Sequence, residues 1–390
     1  MISFDNTEVA FRGKSKGDLN RAYWLFKVVS SPAMVRFGKW ATNVALRLKL
    51  PIKAIIKKTI FRQFCGGESI QESLKASKTL ASRNVKTILD YSIEGKTKEE
   101  DFDKTVQEII GTIREGENNK NIPFAVFKVT GICLHDILEK SNDGIENLST
   151  EEKKDYDKLK ERVSIICLEA YNRNVPIFID AEESWIQNTI DRLAYEMSVK
   201  FNQKTAVVYN TIQLYRHDRL AFLKSEIARA DKENFKLGVK LVRGAYMEKE
   251  RARAEEQGYP SPIQPNKDAA DKDFNASLKV VIERIDRVSF CAGTHNEESS
   301  MLLVKLLKEY GVDSSDPRAY FAQLLGMSDH ISFNLADNDL MVAKYVPYGP
   351  IKEVLPYLIR RADENTSVTG QTGRELSLIM KERKRRKTKL

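Results

Sequence analysis

No run in this sequence approaches the roughly 18 consecutive apolar residues that a membrane-spanning helix requires. Its first residues, Met1-Ile-Ser-Phe-Asp, lack the layout of a secretory signal peptide. A cytoplasmic protein is expected, soluble or held peripherally on the inner face of a membrane. Cysteine is scarce and scattered: Cys65, Cys133, Cys167 and Cys291 show no CxxC spacing, so reduced thiols are expected rather than a disulfide framework or a zinc site. The four histidines, His135, His217, His295 and His330, form no HExxH or facial-triad pattern, which argues against a metal hydrolase. There is no GxSxG, no Walker loop and no GxGxxG after a candidate strand, and Cys291 has only His295 at a suggestive spacing. Neither a metal nor an activated nucleophile is signposted.

The formal charge of +9 resembles a nucleic-acid signal until it is located. Residues 381–390 carry seven basic side chains and one acid, so the other 380 residues hold only +3. A nearly neutral body disfavours a nucleic-acid-binding protein, which needs basic and aromatic residues interleaved on its folded surface. A tail of this composition is expected to lack fixed structure and to add loose affinity for anionic lipid or nucleic acid. Residues 1–82 read as an N-terminal helical arm. Within it, Val44 to Phe61 mixes cations with aliphatics, which suits a membrane surface and equally suits helices packed on a core.

With 390 residues, 42% of them hydrophobic, the chain can bury one large core, or one core and a smaller appendage. From residue 84, short apolar runs alternate with long helical stretches. The expected strands cover residues 85–90, 123–129, 176–180, 205–212, 237–242, 287–292, 319–324 and 340–345. Among the helices between them, Ser149-Thr-Glu-Glu152 opens one as a capping box, and Leu159, Val163, Ile166 and Ala170 form its apolar stripe. Eight such units over roughly 280 residues match an α/β fold of the (βα)8 barrel type, for which ~250 residues is typical. A doubly wound open sheet is the other arrangement, but it lacks its glycine-rich loop here. The expected layout is the arm at 1–82, the barrel at 83–368, and a helix end with the basic tail at 369–390.

In a parallel barrel the working face lies at the carboxyl ends of the strands. The polar and aromatic residues there are Glu94, Lys128, Asp180, Gln213, Lys240, Arg243, Tyr246, Thr294, His295 and Tyr345, with Leu324 ending the seventh strand. Each alone is as well explained by a rim salt bridge; their coincidence at one rim is the argument. The cations exceed what a rim needs and suit an anionic substrate with a phosphate-bearing cofactor. The last helix, from about Ile351, carries Arg360, Arg361 and Glu364. Arg360 and Glu364 share a face, while Arg361 lies about 100° round and reaches the same volume only through its length. Taken alone, this pair fits a solvated helix end as well as a bidentate grip on a carboxylate or phosphate.

The stretches Ile179-Asp-Ala-Glu-Glu183, Lys240-Leu-Val-Arg-Gly-Ala-Tyr246, Gly293-Thr-His-Asn296, Gln323-Leu-Leu-Gly-Met327 and Tyr345 through Asn365 together resemble the proline dehydrogenases. The resemblance begins near Phe64-Cys-Gly-Gly-Glu-Ser-Ile-Gln-Glu72, runs to Ser367, and is closest in kind to the stand-alone members of that family. No sequence follows that reads as an aldehyde dehydrogenase domain, so a monofunctional enzyme is expected.

The resemblance implies a distorted (βα)8 barrel that holds FAD and oxidises L-proline to Δ1-pyrroline-5-carboxylate, with electrons passed to a membrane quinone. It implies that Arg360 and Arg361, joined by Lys128, clamp the proline carboxylate, and that Glu94 pairs with the second arginine. Tyr345, Leu324 and Tyr246 would wall the ring, with Asp180 in the same hydrogen-bond network. Ala181, Gln213, Lys240, Arg243, Gly244, Ala245, Thr294, His295 and Glu364 would contact FAD. Many bacterial relatives show Arg and then Lys at the places of Lys240 and Arg243, so both are candidates for the contact with flavin N5. A hydroxyproline dehydrogenase would carry a smaller residue at Tyr345, and another flavin barrel would have no use for the paired arginines.

Overall fold

The computed structural model describes residues 2–47, 53–93, 96–367 and 371–388. Among these, eight short runs rich in β-branched, aromatic and aliphatic residues form strands: β1 (Val85–Tyr91), β2 (Phe124–Lys128), β3 (Ile177–Asp180), β4 (Val208–Gln213), β5 (Leu237–Val242), β6 (Val288–Gly293), β7 (Ala319–Leu324) and β8 (Val342–Tyr348). They follow one another in sequence order around a closed parallel barrel, with helices between them. This is the α/β barrel that the alternation implies.

The chain divides into two compact units, one of Ile88–Tyr91 and Gly95–Ala322, the other of Met1–Thr87, Ser92–Glu94 and Gln323–Leu390. In the first, the registers Lys128↔Asp180, Thr211↔Lys240 and Lys240↔Cys291 set the strand ends level. Side chains alternate across a strand, so Phe124, Val126 and Lys128 share one face of β2, as Phe178 and Asp180 do on β3. That face points into the barrel. Phe124 stacks on Phe178 at 4.4 Å between ring centres, and Tyr209 and Tyr320 meet Phe124 edge-on at 5.6 and 4.9 Å. This aromatic plug needs room: a Cβ on Gly238 would lie 2.7 Å from the Tyr209 ring, so only glycine fits there. The alternate residues, such as Ile177 and Ile179, face outward onto buried helix stripes. The stripe on the helix Thr150–Asn172 is the expected one, with Leu159, Val163, Ile166 and Ala170 fully buried behind a Ser149 capping box.

In the other unit, the helix Lys16–Val29 buries Leu19, Ala22 and Phe26 against Leu378 and Ile379 of the helix Gln371–Thr388. The helix Ile351–Ser367 buries Ile351, Val354 and Leu358 with Phe61, Phe64 and Met327. Lys344 of β8 is fully buried and pairs at 2.8 Å with Asp329, which also meets Lys14 at 2.7 Å.

Three expectations need correction. The basic tail is not without structure as far as Thr388: Arg385 and Arg386 both bind buried Glu382, and Arg386 also donates to the carbonyls of Phe11 and Lys14. Helical spacing there turns like charges outward around one shared acid. The fourth strand begins at Val208 rather than residue 205, because the Asn202 side chain takes the Val207 and Val208 N–H groups and holds the approach as a loop. The eighth strand does not end at Tyr345. It continues through Pro347, whose carbonyl accepts from Gly66 while Tyr348 accepts from Ser92. A proline breaks a strand only where its missing N–H is needed, and here it supplies an acceptor. Of the cationic stretch 44–61, residues 48–52 lie outside the described residues; Phe61, with Ile56 and Ile60, packs into the core around Val354.

Candidate active site

The site residues of the barrel unit are placed by strand ends. Lys128 closes β2 and Asp180 closes β3 as register partners, and the Lys128 ammonium donates to Asp180 Oδ2 at 3.1 Å. Lys240, inward on β5, donates to Asp180 Oδ1 and lies 5.4 Å over the Phe178 ring. Asp90 of β1 stands 3.8 Å from the Lys128 ammonium. Asp180 and Lys240 are only 8% and 5% exposed. Burial by itself would raise the Asp180 pKa, but the Lys240 and Lys128 charges outweigh it and hold the carboxyl below its ordinary range. The cluster is therefore an ionised carboxylate gripped by two ammonium groups on top of an aromatic plug.

Gln213 ends β4 beside this cluster. Its Nε2 donates to the Glu182 carbonyl at 2.9 Å, while its buried Oε1 has no hydrogen-bond partner among the described residues. A buried amide oxygen left so is costly unless a ligand N–H completes it. Glu182 accepts from the Thr130 backbone N–H at 3.0 Å and from the Thr130 hydroxyl. Burial pushes its carboxyl up to about 7.

Arg243, three residues beyond Lys240, turns to other partners. It donates to Asp271 at 2.6 Å, to the Thr294 hydroxyl at 2.8 Å and to Ser299 at 3.0 Å, with its guanidinium 4.4 Å over Phe274. Burial lowers its pKa, opposed by the Asp271 charge. Gly244 follows at φ +141°, and a Cβ there would stand 2.4 Å from the Tyr215 ring. That backbone passes where no other residue fits. Ala245 is exposed, Tyr246 caps the helix Met247–Gln257, and His295 and Ala181 are half-buried on loops after β6 and β3. Cys291 is no nucleophile: burial pushes its thiol up to about 12.

The other unit carries the remaining expected residues. The Tyr345 carbonyl accepts from Leu325 at 2.8 Å, and the Tyr345 side chain is nearly buried beside the β7 end at Leu324. Arg361 is buried on the helix Ile351–Ser367 with its guanidinium 5.0 Å over Tyr357, and Arg360 is half-buried next to it. A buried guanidinium is not the solvated helix end that the local sequence allows. Glu94 and the Glu364 side chain lie outside the described residues.

Glu182, Asp90, Asp271 and Ser299 were not singled out by the sequence. Glu182 stands inside the Asp-Ala-Glu-Glu stretch and was within reach. Asp271 and Ser299 sit in ordinary helical patterns, and only the fold brings them to Arg243.

A family model for proline dehydrogenase matches residues 73–374. The chain belongs to the proline dehydrogenase family. The mitochondrial proline dehydrogenase 1 of Dictyostelium discoideum is 34% identical over 98% of this chain and 74% of that one. The hydroxyproline dehydrogenase of Xenopus laevis is 28% identical over 99% of this chain and 90% of that one. In fold, the chain is similar to proline utilization A from Bdellovibrio bacteriovorus, with a TM-score of 0.72 at 22% identity. That match covers 93% of this chain and 38% of the larger protein. As a member of this family the chain is an oxidoreductase, and its eight strands close into a parallel barrel.

Proposed function

We propose that this chain oxidises L-proline to Δ1-pyrroline-5-carboxylate with FAD as cofactor, the first step of proline breakdown, and hands the electrons to a membrane quinone. The observation that carries the reading is Asp180 held between Lys128 and Lys240 at the strand ends, in a chain of this family. The residues fit a flavin: Gln213 offers a buried carbonyl oxygen in want of a donor, and Lys240 a nearby cation. Ala181, Arg243, Ala245, Thr294, His295 and Glu364 complete the cofactor contacts in this reading. FAD supplies the two-electron acceptor that takes a hydride equivalent, chemistry no side chain here provides.

The chain's own part is positioning. Arg360 and Arg361 grip the carboxylate, with Lys128 as a further cation for it, and Glu94 pairs with an arginine. Tyr345, Leu324 and Tyr246 fix the ring plane. The C–H bond beside nitrogen breaks with both its electrons, so the amine has to be neutral beforehand and its remaining N–H proton leaves to solvent. Cations around the substrate favour that neutral form. Asp180 keeps Lys128 and Lys240 at fixed places throughout, the kind of pre-set electrostatics that needs no reorganisation at the moment of reaction.

Hydroxyproline is the second reading, favoured by the similarity over 99% of the chain to the Xenopus enzyme. The Tyr345 phenol opposes it, since a hydroxylated ring wants a smaller neighbour. Steady-state oxidation with a soluble acceptor separates the two: kcat/KM for L-proline is expected to exceed that for hydroxyproline by about ten-fold or more. A reversed ratio supports the second reading, and no product from either substrate sinks both.

A further inference from the structure

Exposed aromatic surface gathers at one end of this sequence. Trp24, Phe37 and Trp40 are 59%, 66% and 61% exposed. One such residue would be ordinary, but three on two successive helices, two of them in ring contact, are not. Trp24 and Val28 stand one turn apart on the helix Lys16–Val29. Met34, Phe37 and Trp40 follow at three-residue steps on the helix Pro32–Arg47, with the Phe37 and Trp40 rings 5.8 Å apart. Only Ser30 and Ser31 separate the two helices, which pack together through Val29 and Val35. The first helix already has its core contact through Leu19, Ala22 and Phe26, so its outward tryptophan answers no internal need.

Charge says what covers this face. The two helices, residues 16–47, contain six lysines and arginines and one acid, Asp18, which is itself taken by Arg21 at 2.9 Å and Arg62 at 3.5 Å. Lys27 lies 5.1 Å over the Trp24 ring. Tryptophan and phenylalanine flanked by lysine, with aliphatics between, is the composition that settles at a lipid headgroup boundary. A second copy of the chain would bring two such positive faces together, and a nucleic acid would leave Val28 and Met34 unused. Among the described residues no helix is long and apolar enough to cross a membrane, so the contact is superficial.

We propose that the outward face of the helices Lys16–Val29 and Pro32–Arg47 docks this protein on an anionic bilayer, with Trp24, Phe37 and Trp40 inserted and the surrounding cations on the headgroups. The aromatic anchor lies on the N-terminal arm; in the basic tail, Arg385 and Arg386 are spent on Glu382, while Lys384 and Lys387 stay exposed. Its purpose rests on the proposed membrane quinone, but the contact itself is measurable without turnover.

The test is co-sedimentation of the full chain with phosphatidylcholine vesicles, with and without phosphatidylglycerol, at low and high salt. The native protein should pellet with the anionic vesicles, and a W24S/F37S/W40S variant should lose about ten-fold in partitioning. All three side chains are exposed, so the variant's oxidation of proline by a soluble acceptor is expected to stay unchanged. In a W185F background, bromine-labelled lipid should quench the emission of Trp24 and Trp40, a readout independent of folding yield. Native protein that stays in solution, or a triple variant that pellets like the native one, overturns the proposal. So does a dimer or a DNA complex that the triple variant abolishes in the absence of any vesicle binding. Vesicle binding by a chain that fails to oxidise proline would leave the docking surface standing and remove the function proposed above.

Discussion

The Lys128 ammonium lies 3.1 Å from Asp180, its register partner on the neighbouring strand, while Lys240 occupies the other oxygen of the same carboxylate. Asp180→Asn keeps the shape and removes the charge, leaving two nearby ammonium groups with no shared anion. Their mutual repulsion should displace one of them, and kcat/KM for proline is expected to fall by about 100-fold or more. Steady-state kinetics on a variant shown to be folded by its thermal midpoint checks this. Activity within about two-fold of native would reduce Asp180 to a structural ion pair.

Arg361 is buried with its guanidinium over Tyr357, a placement that suits a fixed anion clamp better than a surface charge. Arg361→Met retains the length and the apolar contact but cannot bind a carboxylate. KM for proline should rise by about ten-fold or more with the flavin content unchanged. An unaltered KM would remove Arg361 from the substrate site.

Glu182 gives a pH dependence with a definite sign. Its ordinary pKa is 4.5, and burial raises it to about 7 in the folded protein. Between those values the unfolded chain has released a proton that the folded chain keeps, so stability falls as pH rises through this window. Glu182→Gln removes the titration while retaining an acceptor for Thr130. Denaturant melts from pH 4.5 to 7 should show the native protein losing stability relative to the variant. Parallel curves would mean that Glu182 does not hold its proton.

Asp329 has the opposite sign. Burial would raise its pKa, but Lys14 and Lys344 lower it further than burial lifts it. Its contribution is present above the ordinary aspartate pKa of 3.8 and is lost as pH falls below it. Asp329→Asn leaves the fully buried Lys344 charge without its ion pair and should cost about 3–5 kcal/mol at neutral pH. A loss under about 1 kcal/mol in equilibrium unfolding would show that Lys344 has given up its proton or found water.

The barrel was legible because its signal is local: each strand is a short apolar run, and strand β5 and the Ser149 capping box stand where the residues place them. What escaped depended on distant partners. The last strand reads as ending at residue 345, before Pro347, until Gly66, far earlier in the chain, is seen to donate to the Pro347 carbonyl. The tail reads as repelling charge until Glu382 and the Phe11 carbonyl are brought to it. In the site, Lys128, Asp180 and Lys240 were visible as polar residues at strand ends, a periodic feature of one chain segment each. Lys240 points inward from the strand to Asp180, while Arg243 lies just past the strand end, and only the fold brings Asp271, Thr294 and Ser299 to it.

The central claim is that proline reduces a flavin bound by this chain. Anaerobic addition of L-proline to the purified, FAD-loaded protein, followed by absorbance, tests it in one step. The flavin band should bleach, faster as the pH is raised because only the neutral amine reacts, and the Asp180→Asn variant should bleach far more slowly. A flavin band indifferent to proline would contradict the substrate, and a protein unable to take up FAD would contradict the whole account.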